Sequence, residues 1–231
     1  MAIKVLAFDL DDTLWDMRPT LIRAEKKLYA WLEDNCPRIN YDLETIRDLR
    51  NEVLQQHPEL KTSISELRRR VIERALQLSG YAPAESESYS HQAFEAFLVA
   101  RNQVLFFDGA LDAVQQLAGH YVLGTLTNGN ADIQRLGLSD YFSFSFSAEQ
   151  VGAPKPAPNL FHAALDHTGV KAEEMIYVGD HPEFDISAAN KVGLHTIWVN
   201  LNSQAFPGEV VPDEEINRLS DLPAAVGKID G

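Results

Sequence analysis

The sequence predicts an α/β fold in which a doubly wound parallel sheet carries an inserted helical domain. Three observations support this prediction: short apolar runs that end in polar residues, helical patterns after those runs, and a long block with helical patterns only. The predicted core consists of residues 1–17 and 105–231, and the predicted insertion of residues 18–104. A chain of 231 residues is long enough for both.

The first strand is predicted over residues 3–9, an apolar run that ends in Asp9. Such a run is typical of a buried parallel strand, because strands covered on both faces are apolar throughout. Helical patterns then follow one another to about residue 104, and proline, aspartate and glycine mark their ends. These end signals are Pro19, Pro37, Asp42 and Gly80.

Strand and helix patterns alternate again after residue 109. This alternation predicts a Rossmann-like parallel sheet with helices on both faces, whose ligand site lies at the carboxyl ends of the strands. The tail contributes only a predicted turn at residues 206–208 and a final helix. The predicted strands cover residues 121–126, 175–178 and 195–199, with short segments around 142–146. The predicted helices cover residues 110–118, 158–167 and 221–226, and another helix runs through residues 188–189 after the strand at 175–178.

The charge of the chain restricts its partners. Lys and Arg total 20 and Asp and Glu total 34, which gives a net charge of −14. This balance argues against binding to nucleic acid or an anionic membrane, since both require basic patches. No apolar run approaches the ~20 residues of a membrane helix, and the single cysteine, Cys36, excludes an internal disulfide. We therefore expect a cytoplasmic protein that acts on a small molecule.

Polar residues follow several of the predicted strands. Each group alone has a plain structural interpretation, as a solvated turn, a βα turn, a surface lysine or a helix cap. Together they would bring carboxylates, a threonine and a lysine to one edge of the sheet. The groups are Asp9-Leu10-Asp11-Asp12-Thr13, Thr127-Asn128-Gly129, Lys155-Pro156 and Gly179-Asp180 with Asp185.

These four groups, in this order, resemble the four motifs of the haloacid dehalogenase-like hydrolase superfamily. The resemblance covers the whole chain, including a helical cap between the first two motifs. It implies that Asp9 is the nucleophile that becomes an aspartyl-phosphate and that Asp11 is the general acid and base. It also implies that Thr127 and the Asn128 backbone bind the phosphoryl oxygens, and that Lys155 steadies the nucleophile and the phosphate.

The resemblance also implies a magnesium site. Asp9, Asp180 and the backbone carbonyl of Asp11 would hold Mg²⁺, with Asp185 oriented at the site or ligating through water. The chemistry agrees, because Mg²⁺ prefers about six oxygen ligands and keeps several waters. Phosphoryl transfer itself depends mainly on positioning and on neutralisation of charge.

Several functions remain open within this resemblance. A magnesium-dependent phosphomonoester phosphatase is preferred over a 2-haloacid dehalogenase, because dehalogenases of the superfamily need no metal and typically lack the second aspartate, here Asp11. A phosphomutase would share the first steps. A non-enzymatic binding module would be expected to have a broken motif, and every motif is intact here.

The substrate is expected to be a small phosphorylated metabolite. The stretch from Phe8 to Pro19 resembles bacterial phosphatases that act on flavin mononucleotide or on the ribitylaminouracil phosphate of riboflavin synthesis. Trp15 would then stack on a flavin or pyrimidine ring, or else pack at the hinge between the cap and the core. Arg18 would bind an anionic group, or else neutralise Asp16 or cap the hinge. Nucleotides, sugar phosphates and phosphoglycolate are the alternatives. The protein is expected to be a monomer or a homodimer.

Overall fold

The computed structural model describes residues 2–207 and 210–231. The chain forms two compact units. The first contains Met1–Met17 and Val104–Gly231, and the second contains Arg18–Gln103. Within the described ranges, no helix is both long enough and apolar enough to cross a membrane.

The first unit is built on a six-stranded parallel sheet with the strand order β3-β2-β1-β4-β5-β6. β1 lies between β2 and β4, and its last residue, Phe8, is in register with Thr125 and Val178. The predicted parallel α/β fold is therefore confirmed. The strands are β1 (Val5–Phe8), β2 (Val122–Thr127), β3 (Phe144–Ser147), β4 (Met175–Gly179), β5 (His195–Val199) and β6 (Glu214–Ile216).

Helices cover both faces of this sheet. Alternate residues of β1 point to opposite faces, as in any strand. Leu6 and Phe8 belong to the apolar cluster that includes α5 and α9, whereas Val5 and Ala7 belong to the cluster that includes α7 and α8. The helices of this unit are α5 (Ala110–Ala118), α6 (Ala148–Val151), α7 (Asn159–Thr168), α8 (Ala188–Val192) and α9 (Leu222–Asp230).

The second unit is helical and has its own apolar core, which includes Leu28, Ile72 and Phe97, all fully or almost fully buried. Asp42 caps its second helix as the sequence predicts, because its Oδ1 accepts a hydrogen bond from the Thr45 amide at 2.8 Å. The helices are α1 (Met17–Asn35), α2 (Leu43–Gln56), α3 (Ile64–Leu78) and α4 (Pro83–Arg101).

Two details differ from the sequence prediction, and one prediction falls partly outside the described residues. β6 pairs with β5 although two of its three residues are glutamates, so no apolar pattern marks it. The helix expected after β4 opens with a π-helical segment, Pro182–Ser187, in which the Ile186 amide donates to the His181 carbonyl. The predicted turn at residues 206–208 reaches Gly208, which lies outside the described residues.

Candidate active site

Three neighbouring strands deliver polar side chains to one edge of the sheet. Asp9 directly follows β1, Thr127 is the last residue of β2, and Asp180 directly follows β4. The backbone continues the sheet here, because the Asp9 amide donates to the Val178 carbonyl at 2.9 Å. Asp9 is only 7% exposed. The parallel register therefore places a buried carboxylate at the centre of the edge where such sheets bind ligands.

Lys155 is the centre of this cluster. Its Nζ atom lies 2.7 Å from Asp9 Oδ1, 2.7 Å from Asp185 Oδ1 and 2.6 Å from the Tyr177 hydroxyl. The side chain is almost completely buried. A buried ammonium is costly unless it is paired and hydrogen-bonded, and here all three of its protons have an acceptor. Lys155 thus neutralises part of the negative charge around Asp9.

Asn128 fixes the position of Lys155. Its Oδ1 accepts from the Lys155 amide at 2.7 Å, and its Nδ2 donates to the Lys155 carbonyl at 3.0 Å. The side chain therefore binds the backbone of the lysine rather than a substrate. This contact does not test the expected role of the Asn128 backbone toward phosphate, which stays a prediction.

Asp185 approaches the site because β4 ends in a glycine. A methyl group on Gly179 would lie 2.5 Å from Asp185 Cγ, so only glycine leaves room for this carboxylate. The second oxygen of Asp185, Oδ2, accepts from the His181 amide at 2.9 Å. The His181 ring caps the π-helical segment, since its Nδ1 accepts from the amides of Glu183 and Phe184 at 3.2 Å.

Tyr177 is a site residue that the sequence prediction missed. It lies within β4 and is fully buried. Its hydroxyl accepts from Lys155 and faces two acceptors, Asp185 Oδ1 at 3.1 Å and the Leu126 carbonyl at 3.2 Å. In the sequence it is one residue of an apolar strand, so only its phenol group could have indicated a polar contact.

Three carboxylates could hold a metal ion. Oxygen atoms of Asp9, Asp180 and Asp185 all lie within 4.8 Å of one another. The Thr13 hydroxyl lies 3.1 Å from Asp180 Oδ1 and 3.4 Å from Asp9 Oδ2, so it links two of them. The carboxylate of Asp11 is not part of this group, and its expected metal contact was through its backbone carbonyl.

The electrostatics of the cluster favour a bound cation. Burial, and after it the nearby Asp185 carboxylate, raise the pKa of Asp180 to about 7. Burial also raises the pKa of Asp9, although Lys155 opposes this effect. For Lys155 itself, burial lowers the pKa, but Asp185 and Asp9 outweigh burial and the net shift is upward. One ammonium is therefore shared among carboxylates that a divalent cation would further stabilise.

Trp15 packs in the interior of the first unit, which is the alternative to stacking on a ligand. The indole is fully buried in the apolar cluster of the first unit and packs edge-to-face on Phe106, with the ring centroids 5.6 Å apart. Its Nε1 donates to Asp11 Oδ1 at 2.8 Å.

Two other predicted residues are located but not tested. Thr127 is almost fully buried, and its Oγ1 accepts from the Gly129 amide at 2.9 Å, which orders the turn after β2. Arg18 lies in the first turn of α1, in the helical unit, and is exposed. Phosphate binding by Thr127 and anion binding by Arg18 stay predictions.

Comparisons with known proteins agree with the resemblance seen in the sequence. Residues 3–193 match the family model of haloacid dehalogenase-like hydrolases. The 5-amino-6-(5-phospho-D-ribitylamino)uracil phosphatase YigB of Escherichia coli is 30% identical over 229 residues, covering 97% of this chain and 96% of the relative.

Two further proteins are similar. A phosphoserine phosphatase of Thermus thermophilus is 32% identical over 160 residues, which cover 67% of this chain and 63% of the relative. The crystal structure of a 2-haloacid dehalogenase from Pseudomonas syringae pv. Tomato is 41% identical with a TM-score of 0.94, covering 98% of this chain and 99% of that one. Similar proteins thus include both phosphatases and a dehalogenase.

Proposed function

The chain belongs to the haloacid dehalogenase-like hydrolase family, and we propose that it hydrolyses phosphate monoesters through a covalent phosphoryl group on Asp9. The observation that carries this proposal is the contact of the Lys155 ammonium with Asp9 Oδ1 at 2.7 Å, beside a group of three carboxylates. A nucleophilic carboxylate that must approach a phosphate anion needs neighbouring positive charge.

The acidity of the chain makes this local charge necessary. With a net charge of −14, the protein as a whole repels a phosphate ester. Lys155 supplies one positive charge, and a bound Mg²⁺ would supply two more. Mg²⁺ fits the donor set, since Asp9, Asp180 and Asp185 offer only oxygen atoms and Mg²⁺ is a hard cation that binds through one or two carboxylates and water. When bound, it would neutralise charge on the transferring phosphoryl oxygens.

The reaction then follows two steps. A carboxylate oxygen of Asp9 attacks phosphorus, the bond from phosphorus to the ester oxygen breaks, and Asp11 gives its proton to the leaving oxygen. In the second step, Asp11 takes a proton from water as the water oxygen attacks phosphorus, which releases phosphate and restores Asp9. General acid–base transfer of this kind contributes about 10²–10⁴-fold.

A second candidate, dehalogenation of 2-haloacids, is favoured by the similarity to the Pseudomonas syringae protein. The site supports it less well. A halide leaves without a proton, so dehalogenation gives Asp11 no role, and attack on carbon requires no metal. The clustered carboxylates and the presence of an aspartate at position 11 therefore support phosphatase chemistry.

For the substrate, we propose a small phosphorylated metabolite, with flavin mononucleotide or a ribitylaminouracil phosphate tested first. The basis is the similarity over nearly the whole chain to the Escherichia coli ribitylaminouracil phosphatase. We propose that the helical unit, Arg18–Gln103, acts as the cap that selects the leaving group.

The test is phosphate release from a panel of esters, with Mg²⁺ and with EDTA, next to chloride release from 2-chloropropionate. The panel contains flavin mononucleotide, nucleoside monophosphates, sugar phosphates and phosphoglycolate. Mg²⁺-dependent phosphate release, led by flavin mononucleotide, is expected. A different leading ester would change the substrate proposal only. Chloride release without metal, and no phosphate from any ester, would replace the phosphatase with the dehalogenase.

A further inference from the structure

The buried Trp15 indole has a carboxylate as its hydrogen-bond acceptor. An indole buried among apolar groups needs one acceptor for its N–H, and a backbone carbonyl would serve. The acceptor here is instead Asp11 Oδ1, at 2.8 Å. The indole is fully buried, whereas Asp11 is partly exposed. A buried donor thus holds one oxygen of a partly exposed carboxyl group.

The loop around Trp15 keeps this donor in place. The Asp12 amide donates to the Trp15 carbonyl at 2.8 Å, and the Phe107 amide donates to the Leu14 carbonyl at 2.9 Å. The Phe106 ring packs edge-to-face on the indole. Asp12 adopts a left-handed backbone conformation, with φ of 61°, which closes the turn. Backbone contacts on both sides of the indole therefore fix its direction.

We propose that Trp15 is a positioning residue for proton transfer. Its N–H holds Asp11 Oδ1, so that the other oxygen, Oδ2, carries the proton to the leaving oxygen while the bond from that oxygen to phosphorus breaks. This inference rests on the proposed phosphatase function. It replaces the stacking role expected for Trp15 with an action through Asp11.

This role has a consequence that a purely structural role lacks. Positioning of the acid matters most when the leaving oxygen needs a proton. Phenol, like the tyrosine side chain, has a pKa of about 10, and is a poor leaving group without protonation. Nitrophenolate leaves far more readily. The importance of the Trp15 N–H should therefore depend on the leaving group.

The experiment compares phenyl phosphate with p-nitrophenyl phosphate, two esters of nearly the same shape, using the full chain with Mg²⁺. Trp15→Phe removes the N–H and keeps an aromatic ring. We expect kcat/KM, which reports attack on the ester and departure of its oxygen, to fall at least about tenfold for phenyl phosphate and less than about threefold for p-nitrophenyl phosphate, since acid catalysis contributes about 10²–10⁴-fold. Phe106→Leu, which weakens the packing and keeps the N–H, should leave the ratio of the two rates unchanged.

A double-mutant cycle isolates the route through Asp11. In an Asp11→Asn background, Trp15→Phe should change kcat/KM for phenyl phosphate by less than about twofold, because the asparagine side chain has no acidic proton to transfer to the leaving oxygen. An equal fall in kcat/KM for both esters in the single variant, or the full tenfold effect on kcat/KM in the Asn background, would overturn the inference and leave the phosphatase function intact. Wild-type protein that releases phosphate neither from these two esters nor from any ester of the metabolite panel would refute the phosphatase function and this inference with it.

If Trp15→Phe does not fold, the hydrogen bond can be tested by NMR on proteins that keep Trp15. The chain has three tryptophans, so ¹⁵N-indole labelling gives a simple spectrum. The Trp15 indole resonance should move in Asp11→Ala and stay in place in Asp112→Ala, a change at an exposed position of α5. A Trp15 resonance that is unaffected by loss of the Asp11 carboxylate would show that the hydrogen bond is absent in solution, and would overturn the inference.

Discussion

Replacement of Lys155 by methionine removes a buried ammonium and keeps a side chain of similar length. The Nζ atom has carboxylate partners at 2.7 Å on Asp9 and on Asp185. At an effective dielectric constant of ~20, each pair attracts by about 6 kcal/mol, before the cost of desolvation. Removal of one partner from a buried ion pair costs about 3–5 kcal/mol, because the remaining charge is left uncompensated. We therefore expect Lys155→Met to lower the free energy of unfolding by about 3–5 kcal/mol when it is measured in EDTA.

The same change should lower turnover. If Lys155 neutralises charge as Asp9 approaches phosphate, its loss should reduce kcat about 10²–10³-fold, the cost of one preorganised donor to a developing oxyanion. Urea unfolding in EDTA and in Mg²⁺, with initial rates on the best ester, measures both effects. Mg²⁺ should restore part of the stability and little of the rate.

Lys171→Met is the matched control, because the Lys171 side chain is 73% exposed and its only ion pair among the described residues is a 4.0 Å contact with Glu173. It should change stability by less than about 0.5 kcal/mol and leave kcat unaltered. If Lys155→Met behaved like this control in both measurements, the charge-neutralising role of Lys155 would be refuted.

Three further predictions follow from the first unit. The pKa of Asp180, about 7 against its ordinary value of 3.8, means that the folded metal-free protein holds a proton that the unfolded chain has lost. Its free energy of unfolding should therefore fall as pH rises from about 4 to about 7, and Asp180→Asn should flatten this part of a urea-denaturation profile; an unchanged slope would contradict the assignment. Tyr177→Phe should lower the free energy of unfolding by about 1–3 kcal/mol in the same assay, because the buried partners of the hydroxyl lose a hydrogen bond. Unchanged stability in this variant would show that the hydroxyl does not stabilise the site. A methyl group at Gly124 would overlap the Phe144 ring, so Gly124→Ala should destabilise by about 1–3 kcal/mol and a second change, Phe144→Leu, should recover much of the loss.

The strands of the sheet could be predicted because strand patterns depend on local sequence. Apolar runs mark the buried strands, and parallel pairing brings their carboxyl ends together. Asp9, Thr127 and Asp180 could be placed at one edge for this reason. β6 could not, because a three-residue edge strand with two glutamates carries no apolar signal.

The contacts inside the site depend on three-dimensional packing and escaped the sequence prediction. Asn128 and Lys155 are 27 residues apart, and their hydrogen bonds exist only because the turn after β2 meets the lysine loop. In the sequence Tyr177 looks like any core residue of a buried strand, and only the folded structure shows the contact of its hydroxyl with Lys155. For Trp15 the sequence left both stacking on a ligand and packing open, and the turn of the loop directs the indole into the apolar core.

The most direct test of the central claim is to look for the phosphoryl group on Asp9. Protein turning over its best ester in Mg²⁺ is quenched in acid, digested, and analysed by tandem mass spectrometry for the peptide that contains Asp9. We predict a phosphoryl adduct located on Asp9, absent in Asp9→Asn, which should also release no phosphate. Rapid phosphate release by Asp9→Asn, or an adduct on another residue, would contradict the account.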